Sequence, residues 1–271
     1  MSVKVDASGR RSVQSQTEVP GTPEQVWQAI ATGPGVSSWF VPCQIEERVG
    51  GKITVSFGPG MESSSTVTSW EAPHRFSAEG SEMSPGSPVM ATEWTVEAKS
   101  GGTCLVRVVH SWFAETDQWD SQFEGTETGW TAFFRDLELY LMHFSGQPSH
   151  TFQLMAMSAQ SQEAAWAKLT DALALSGKGV GAVVESPAGS PGLSGEVKHV
   201  GSNEHPEAVV LLTEPGAGIG HFFAMPMAGM ICLSIRVFIF GTASAGIVAR
   251  EEAVWSAWTS ETFPMPTPAE A

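Results

Sequence analysis

The chain has 271 residues, 42% hydrophobic and 16% charged, enough apolar material for one large or two modest cores, which excludes a disordered or coiled-coil protein. Its 14 basic and 29 acidic residues give a formal charge of −15, which repels phosphate backbones and anionic lipid and argues against nucleic-acid and membrane-surface partners. Three separated cysteines (Cys43, Cys104, Cys232) support neither a disulfide framework nor a zinc knuckle and fit a reducing cytoplasm.

From Met1 to Gln16 no apolar run follows Lys4, Arg10 and Arg11, so no signal peptide is read there. Val13 to Val19 alternates as a first strand. Thr22 then caps a helix with Pro23 in its first turn, Gln25 completing a capping box, and Val26, Trp27 and Ile30 as its apolar stripe. Thr32-Gly33-Pro34-Gly35 is expected to end it. Strands follow at Lys52 to Phe57, Ser65 to Trp70, Arg75 to Gly80, Ala91 to Ala98 and Thr103 to Phe113, in an order that implies an antiparallel sheet. An acidic run (Glu115, Asp117, Asp120, Glu124, Glu127) reads as a solvated face. A long helix then sets Trp130, Phe133, Phe134, Leu137, Leu141 and Phe144 on one face, with Arg135, Asp136 and Glu138 expected to point away.

After Gly146-Gln147-Pro148 the pattern restarts: a strand over Thr151 to Met157, a helix opening at Ser161 and reaching about Leu175, then a Gly/Ser/Pro-rich loop from Ser176 to Gly195. Thr22, Glu24 and Trp27 lie 139 residues before Ser161, Glu163 and Trp166, which suggests a degenerate duplication. Strands at Glu196 to Val200 and Ala208 to Thr213 precede the apolar stretch Phe222 to Phe240. Its β-branched residues, Pro226 and Arg236 make it a hairpin turning at Ala228-Gly229 rather than a membrane span. A last helix carries Ile247, Val254, Trp255 and Trp258. The expected domains are therefore 1–147 and 148–271, both α+β.

Several motifs stand in order through the first half: Pro23-Glu24-Gln25-Val26-Trp27, Trp39-Phe40, Val49-Gly50-Gly51-Lys52, Glu71-Ala72-Pro73-His74-Arg75-Phe76, Glu93-Trp94-Thr95-Val96, Gly102-Thr103, His110-Ser111 and Gly129-Trp130. Gly50-Gly51 suits a tight turn, and Gly129 is expected to let the last helix approach closely. In these motifs the region Arg11 to Phe144 resembles the activator of heat-shock protein 90 ATPase homologue family, a branch of the START-like helix-grip superfamily that includes polyketide cyclases and lipid-transfer domains. The resemblance implies a helix-grip fold, a curved antiparallel sheet wrapped around a long C-terminal helix with a cavity between them. Trp112 stands where the family often has glycine, and from Gln147 onward no family motif is matched, so the second half is expected to be a reduced helix-grip-like unit.

On the strand Cys104 to Trp112, alternation places Cys104, Val106, Val108, His110 and Trp112 on the face toward the helix, and Arg107 on the other. His110 is then either a ligand-orienting group, a structural hydrogen-bonded histidine or a general base. Trp39, Phe40, Trp94, Val106, Val108, His110, Trp130 and Phe133 form the candidate ligand-binding set, with core packing as the competing account. No catalytic pair stands out. Gly216, Gly218 and Gly220 mimic a phosphate loop but precede a strand, so they read as a hairpin turn. The seven histidines lack metal-ligand spacing, and His199, His205 and His221 read as surface residues. Met225, Met227 and Met230 read as core filling rather than a binding surface.

Three functions follow. The leading one is non-catalytic binding of a small hydrophobic or aromatic molecule, with no cofactor and no metal. The others are a chaperone-interacting protein, as the resemblance suggests, and a cyclase or hydrolase of a polyketide-like substrate using His110, Glu93 or Arg75. Partners beyond the small ligand are expected to include neither nucleic acid nor membrane, and a homodimer is admitted.

Overall fold

The computed structural model describes residues 3–58, 60–80, 88–113 and 120–264. The chain forms two compact units, Met1–Gly146 and Gln147–Ala271.

The first unit runs β1 (Lys4–Val5), β2 (Arg10–Pro20), α1 (Pro23–Ala31), α2 (Gly33–Ser37), β3 (Cys43–Ile45), β4 (Lys52–Ser56), β5 (Glu62–Glu71), β6 (Arg75–Gly80), β7 (Ala91–Ala98), β8 (Thr103–Phe113) and α3 (Asp120–His143). Its antiparallel sheet has the order β1-β2-β8-β7-β6-β5-β4-β3, a meander closed by pairing the first long strand with the last. β2 and β8 stay in register from Arg10↔Phe113 to Pro20↔Thr103. The Thr22 hydroxyl accepts from the Gln25 N–H at 3.3 Å while Gln25 Oε1 accepts from the Thr22 N–H at 2.9 Å, so the capping box is complete. Thr32 does more than end α1. Its hydroxyl accepts from the Gly35 N–H at 3.0 Å and so starts α2, a short helix absent from the pattern-based reading. Gly50 adopts a φ of +76°, and a Cβ on Gly51 would lie 2.1 Å from the Glu46 carbonyl oxygen, so this turn needs both glycines. Gly129 has no such constraint: a Cβ there meets only Phe133, at an ordinary 3.8 Å.

On β8 the alternation holds. Cys104, Val106, Val108, His110 and Trp112 are buried and Arg107 lies half-exposed on the opposite face. α3 buries Phe134, Leu137 and Leu141, Phe144 is buried just past its end, and Glu138 is exposed as expected. Asp136 is not: it is fully buried. It sits one turn before Tyr140, which is also buried, so the buried face is wider than a single stripe. Of the acidic run, Glu115 and Asp117 and the side chains of Asp120, Glu124 and Glu127 lie outside the described residues.

The second unit runs β9 (Ser149–Ser158), α4 (Gln162–Ala172), β10 (Val183–Glu185), β11 (Ser194–Val200), β12 (Glu207–Glu214), β13 (Gly218–Met227), β14 (Met230–Phe240) and α5 (Ser244–Thr262). Its sheet order is β10-β11-β12-β13-β14-β9. Again a meander is closed by pairing the first strand with the last, and again a final helix follows, so this unit is a reduced helix-grip. α4 ends three residues before Leu175, and Val183 and Val184 turn part of the expected loop into β10, paired with β11. The Ser161 hydroxyl caps α4 by accepting from the Ala164 N–H at 3.3 Å. Gly218 and Gly220 lie inside β13 rather than in a turn; a Cβ on Gly218 would stand 2.2 Å from the Phe238 carbonyl oxygen. Phe222 to Phe240 is the expected hairpin, and among the described residues no helix is long and apolar enough to cross a membrane.

The surface assignment of His221 is wrong. Its side chain is fully buried, with Nε2 3.2 Å from Glu207 Oε1, while His199 Nε2 lies 3.7 Å from the other oxygen of the same carboxylate. Cross-strand register, invisible to a search for ligand spacing, brings these residues together: Val209 pairs with both His199 and His221, and Glu207 with Phe223.

Candidate functional site

In the first unit α3 meets the sheet through aromatic rings from the helix itself, from the segment after α2 and from β7. Phe40, just after α2, lies 4.6 Å from Phe133 and 5.0 Å from Trp130 between ring centroids. Trp94 on β7 meets Trp130 edge-on at 5.0 Å, and Trp39 touches both Trp94 and Trp130 at 6.4 Å. Such tilted and edge-to-face contacts suit the ring quadrupole. All eight expected residues are therefore on the helix-facing side of the first unit, but they are not equivalent. Trp39, Phe40, Trp94, Val106, Val108 and His110 are buried, and Trp39 is locked by donating its indole N–H to the Ala29 carbonyl at 2.9 Å. Trp130 and Phe133 are half-buried and so present accessible ring surface.

His110 is the polar centre of this wall. Trp130 donates its indole N–H to His110 Nε2 at 2.6 Å, and His110 Nδ1 lies 2.9 Å from Thr92 Oγ1 on the neighbouring strand. An indole N–H only donates, so Nε2 carries the lone pair and the neutral ring carries its proton on Nδ1, donating to Thr92. Burial pushes the His110 pKa down to about 4, because a charged imidazolium here would lose its water. Both ring nitrogens are thus occupied within the protein at neutral pH. Neither is open to abstract a substrate proton or to bond a ligand directly, and the ring instead positions Trp130 and Thr92.

The other two residues named for catalysis are misplaced. Arg75 and Glu93 sit on the opposite sheet face from Phe76 and Trp94, where the Arg75 Nε–H donates to Glu93 Oε2 at 2.9 Å. Strand parity accounts for this, since odd-numbered residues of β7 face away from α3. Their bond is an exposed ion pair.

Sequence reasoning missed three contributors. Phe57 packs edge-on against Phe40 at 5.6 Å, signalled by the alternation Ile53, Val55, Phe57. Thr92 is half-buried, and because its oxygen accepts from His110 its own hydroxyl proton is left to donate. Small residues pair across the strands beside them, Ser65 with Gly80 and, two residues along, Ala78 with Thr92. Nothing local marks these pairs; they emerge only from the register of three strands. Among the described residues no group of three or more His, Cys, Asp or Glu side chains is placed to hold a metal ion. The three cysteines are free, and burial pushes the Cys43 thiol up to about 12, so it is not a ready nucleophile.

Residues 20–142 match the family described as Activator of Hsp90 ATPase homolog 1-like protein, so the family resemblance read from the motifs holds over the first unit. No curated protein matches the chain. Among solved structures, protein MLL2253 from Mesorhizobium loti is 21% identical over 50% of this chain and 99% of that one, with a TM-score of 0.44. The Aha1 dimer from Colwellia psychrerythraea is 21% identical over 50% of this chain and 98% of its own, with a TM-score of 0.41. The di-domain ARO/CYC BexL from the BE-7585A biosynthetic pathway is similar over 95% of this chain and 100% of its own, at 14% identity and a TM-score of 0.45.

Proposed function

We propose that the first unit binds a small hydrophobic or aromatic molecule between sheet and α3 and does not transform it. The observation that carries this reading is the combination of half-accessible aromatic surface on Trp130 and Phe133 with a hydrogen-bonded, neutral His110 behind it. Apolar pockets with one or two fixed polar groups are the usual form of a small-molecule site. In this reading Trp130, Phe133 and Phe57 contact the ligand, Trp39, Phe40, Trp94, Val106 and Val108 back them, and the Thr92 hydroxyl, oriented by His110, gives one directional hydrogen bond. The engagement of both His110 nitrogens weighs against the cyclase or hydrolase alternative. A chaperone-directed role draws on the family description alone, as does a homodimer on the dimeric Colwellia structure. Free cysteines and acidic charge favour a cytoplasmic setting.

We also infer that the second unit is a degenerate duplicate of the first, supported by the shared closure of first strand on last strand and the capped helix after each first strand. Helix placement agrees: α1 packs on β7 and β8 as α4 does on β13 and β14, and α3 and α5 pack on the first strands β2 and β9.

Titration with 2-naphthol, followed by tryptophan fluorescence, tests the binding reading. It predicts saturable quenching at one probe per chain, weakened about tenfold by Phe133→Ala, a loss of about 1.4 kcal/mol. Absence of saturation, or equal affinity in the variant, would overturn it.

A further inference from the structure

Sulfur is concentrated at one end of the second sheet. Register pairs Met225 with Cys232 and Cys232 with Met157, a straight row of three sulfur side chains across β13, β14 and β9. In the next row Met227 pairs with Met230, and Met155 lies two residues from Met157 on the same strand. Alternation puts all six on the sheet face opposite the helices, since Leu154, Ala156, Ala224, Leu233 and Ile231 on the other face pack into the core. The turn that aligns the second row is itself constrained: Ala228 takes a φ of +50° and Gly229 one of +78°, as a two-residue hairpin turn of this hand requires.

These methionines do not fill a core. Met155 and Met225 are 36% and 37% exposed, and Met157, Met227 and Met230 are half-buried around a fully buried Cys232. Cross-strand neighbours on one face have Cβ atoms about 4.5–5.5 Å apart, and a methionine side chain has three rotatable bonds with which to bring its sulfur inward. Sulfurs bound at about 2.3 Å to one three-coordinate ion stand about 4 Å apart, within that reach. Two thioethers beside a single thiolate suit soft monovalent copper, whereas hard ions take oxygen donors and zinc sites are built from several thiolates or imidazoles.

We propose that Met157, Cys232 and Met225 form a binding site for Cu(I), with Met227 and Met230 at its rim. On binding, the Cys232 thiol loses its proton to solvent and its sulfur bonds the metal, while the two thioethers bind as neutral donors. The product of one thiolate and one Cu(I) carries no net charge, which suits a buried position. No change of oxidation state is involved. Burial pushes the Cys232 thiol up and Arg236 offsets only part of that, so the thiolate is formed by the metal that displaces its proton rather than beforehand.

The test is anaerobic titration of the full chain with Cu(I) in competition with bicinchoninate, with X-ray absorption of the loaded protein. One Cu(I) per chain with a sulfur-only shell is expected, and Met157→Leu/Met225→Leu should weaken binding at least tenfold with an unchanged circular dichroism spectrum. The leucines keep side-chain volume at half-exposed positions, so the fold is retained. Failure of the wild type to hold Cu(I), a shell containing nitrogen or oxygen, or wild-type affinity in the double variant would each overturn the proposal, the last by placing the ion at Cys43 or Cys104.

Discussion

Trp130 on α3 and Trp255 on α5 are both carried to a sheet by the closing helix of their unit, and the two units treat them differently. Trp130 is half-buried and its indole N–H is bonded to His110. Trp255 is fully buried against Phe152 and Phe222, and among the described residues its indole N–H has no hydrogen-bond partner. The sheets differ in the same sense. In the first unit the helix-facing layer mixes large buried residues (Val67, Phe76, Trp94, Val106, Val108) with Ser65, Ala78, Gly80 and Thr92, whereas in the second unit the corresponding layer holds Val210, Leu212, Phe222, Leu233 and Ile235. On the proposed reading one topology serves two purposes: large apolar side chains fill the second core, and the small and hydrogen-bonded residues among the large ones of the first give its ligand room.

The largest effect that would break this contrast is at the tryptophans. Trp255→Ala should destabilise by about 3–5 kcal/mol, the usual result of emptying a closed core. Trp130→Ala, at a half-buried position, should cost about 1–3 kcal/mol. Urea unfolding midpoints measure both, and a larger shift for Trp130 would reverse the comparison.

The next effect sharpens it through pH. Folded His110 has a pKa of about 4, below the ordinary value of 6.5, so the unfolded chain binds its proton first on acidification. The stability contributed by the neutral ring is present above pH 6.5 and is lost as pH falls from there to about 4, amounting to about 3 kcal/mol over that window. In His110→Phe this component should vanish, so the difference in unfolding free energy between wild type and variant should shrink steadily from pH 7 to pH 4. A difference independent of pH would contradict the neutral assignment.

The smallest effect concerns the helix starts that the units share. Thr22→Ala should cost about 1 kcal/mol because it removes a reciprocal capping box, and Ser161→Ala about 0.5 kcal/mol because its cap is one-way. Equal losses, read from thermal midpoints, would remove this distinction.

What was legible in the sequence was whatever depends on local period and local chemistry. The strands from Arg75 to Phe113, the capped helices at Thr22 and Ser161, and the face carrying Val106, Val108 and His110 all follow from alternation, turn residues and capping pairs. The Met227–Met230 hairpin follows too. What escaped depends on partners distant in the chain. The bond from Trp130 to His110 spans 20 residues and changes the histidine from a candidate anchor into a support for Thr92. Glu93 and Arg75 were placed beside the ligand although parity carries them to the other face. His221 was taken for a surface residue because Glu207 meets it only through strand register.

The central claim is that the open layer of the first unit holds a small apolar molecule while the second unit does not. Native mass spectrometry of the full chain mixed with 2-naphthol tests it most directly, with Phe133→Ala and Trp258→Ala compared side by side. The account predicts one retained probe in wild type and in Trp258→Ala, and about tenfold weaker retention in Phe133→Ala. Retention that is undiminished in Phe133→Ala but disappears in Trp258→Ala would contradict it by placing the ligand in the second unit.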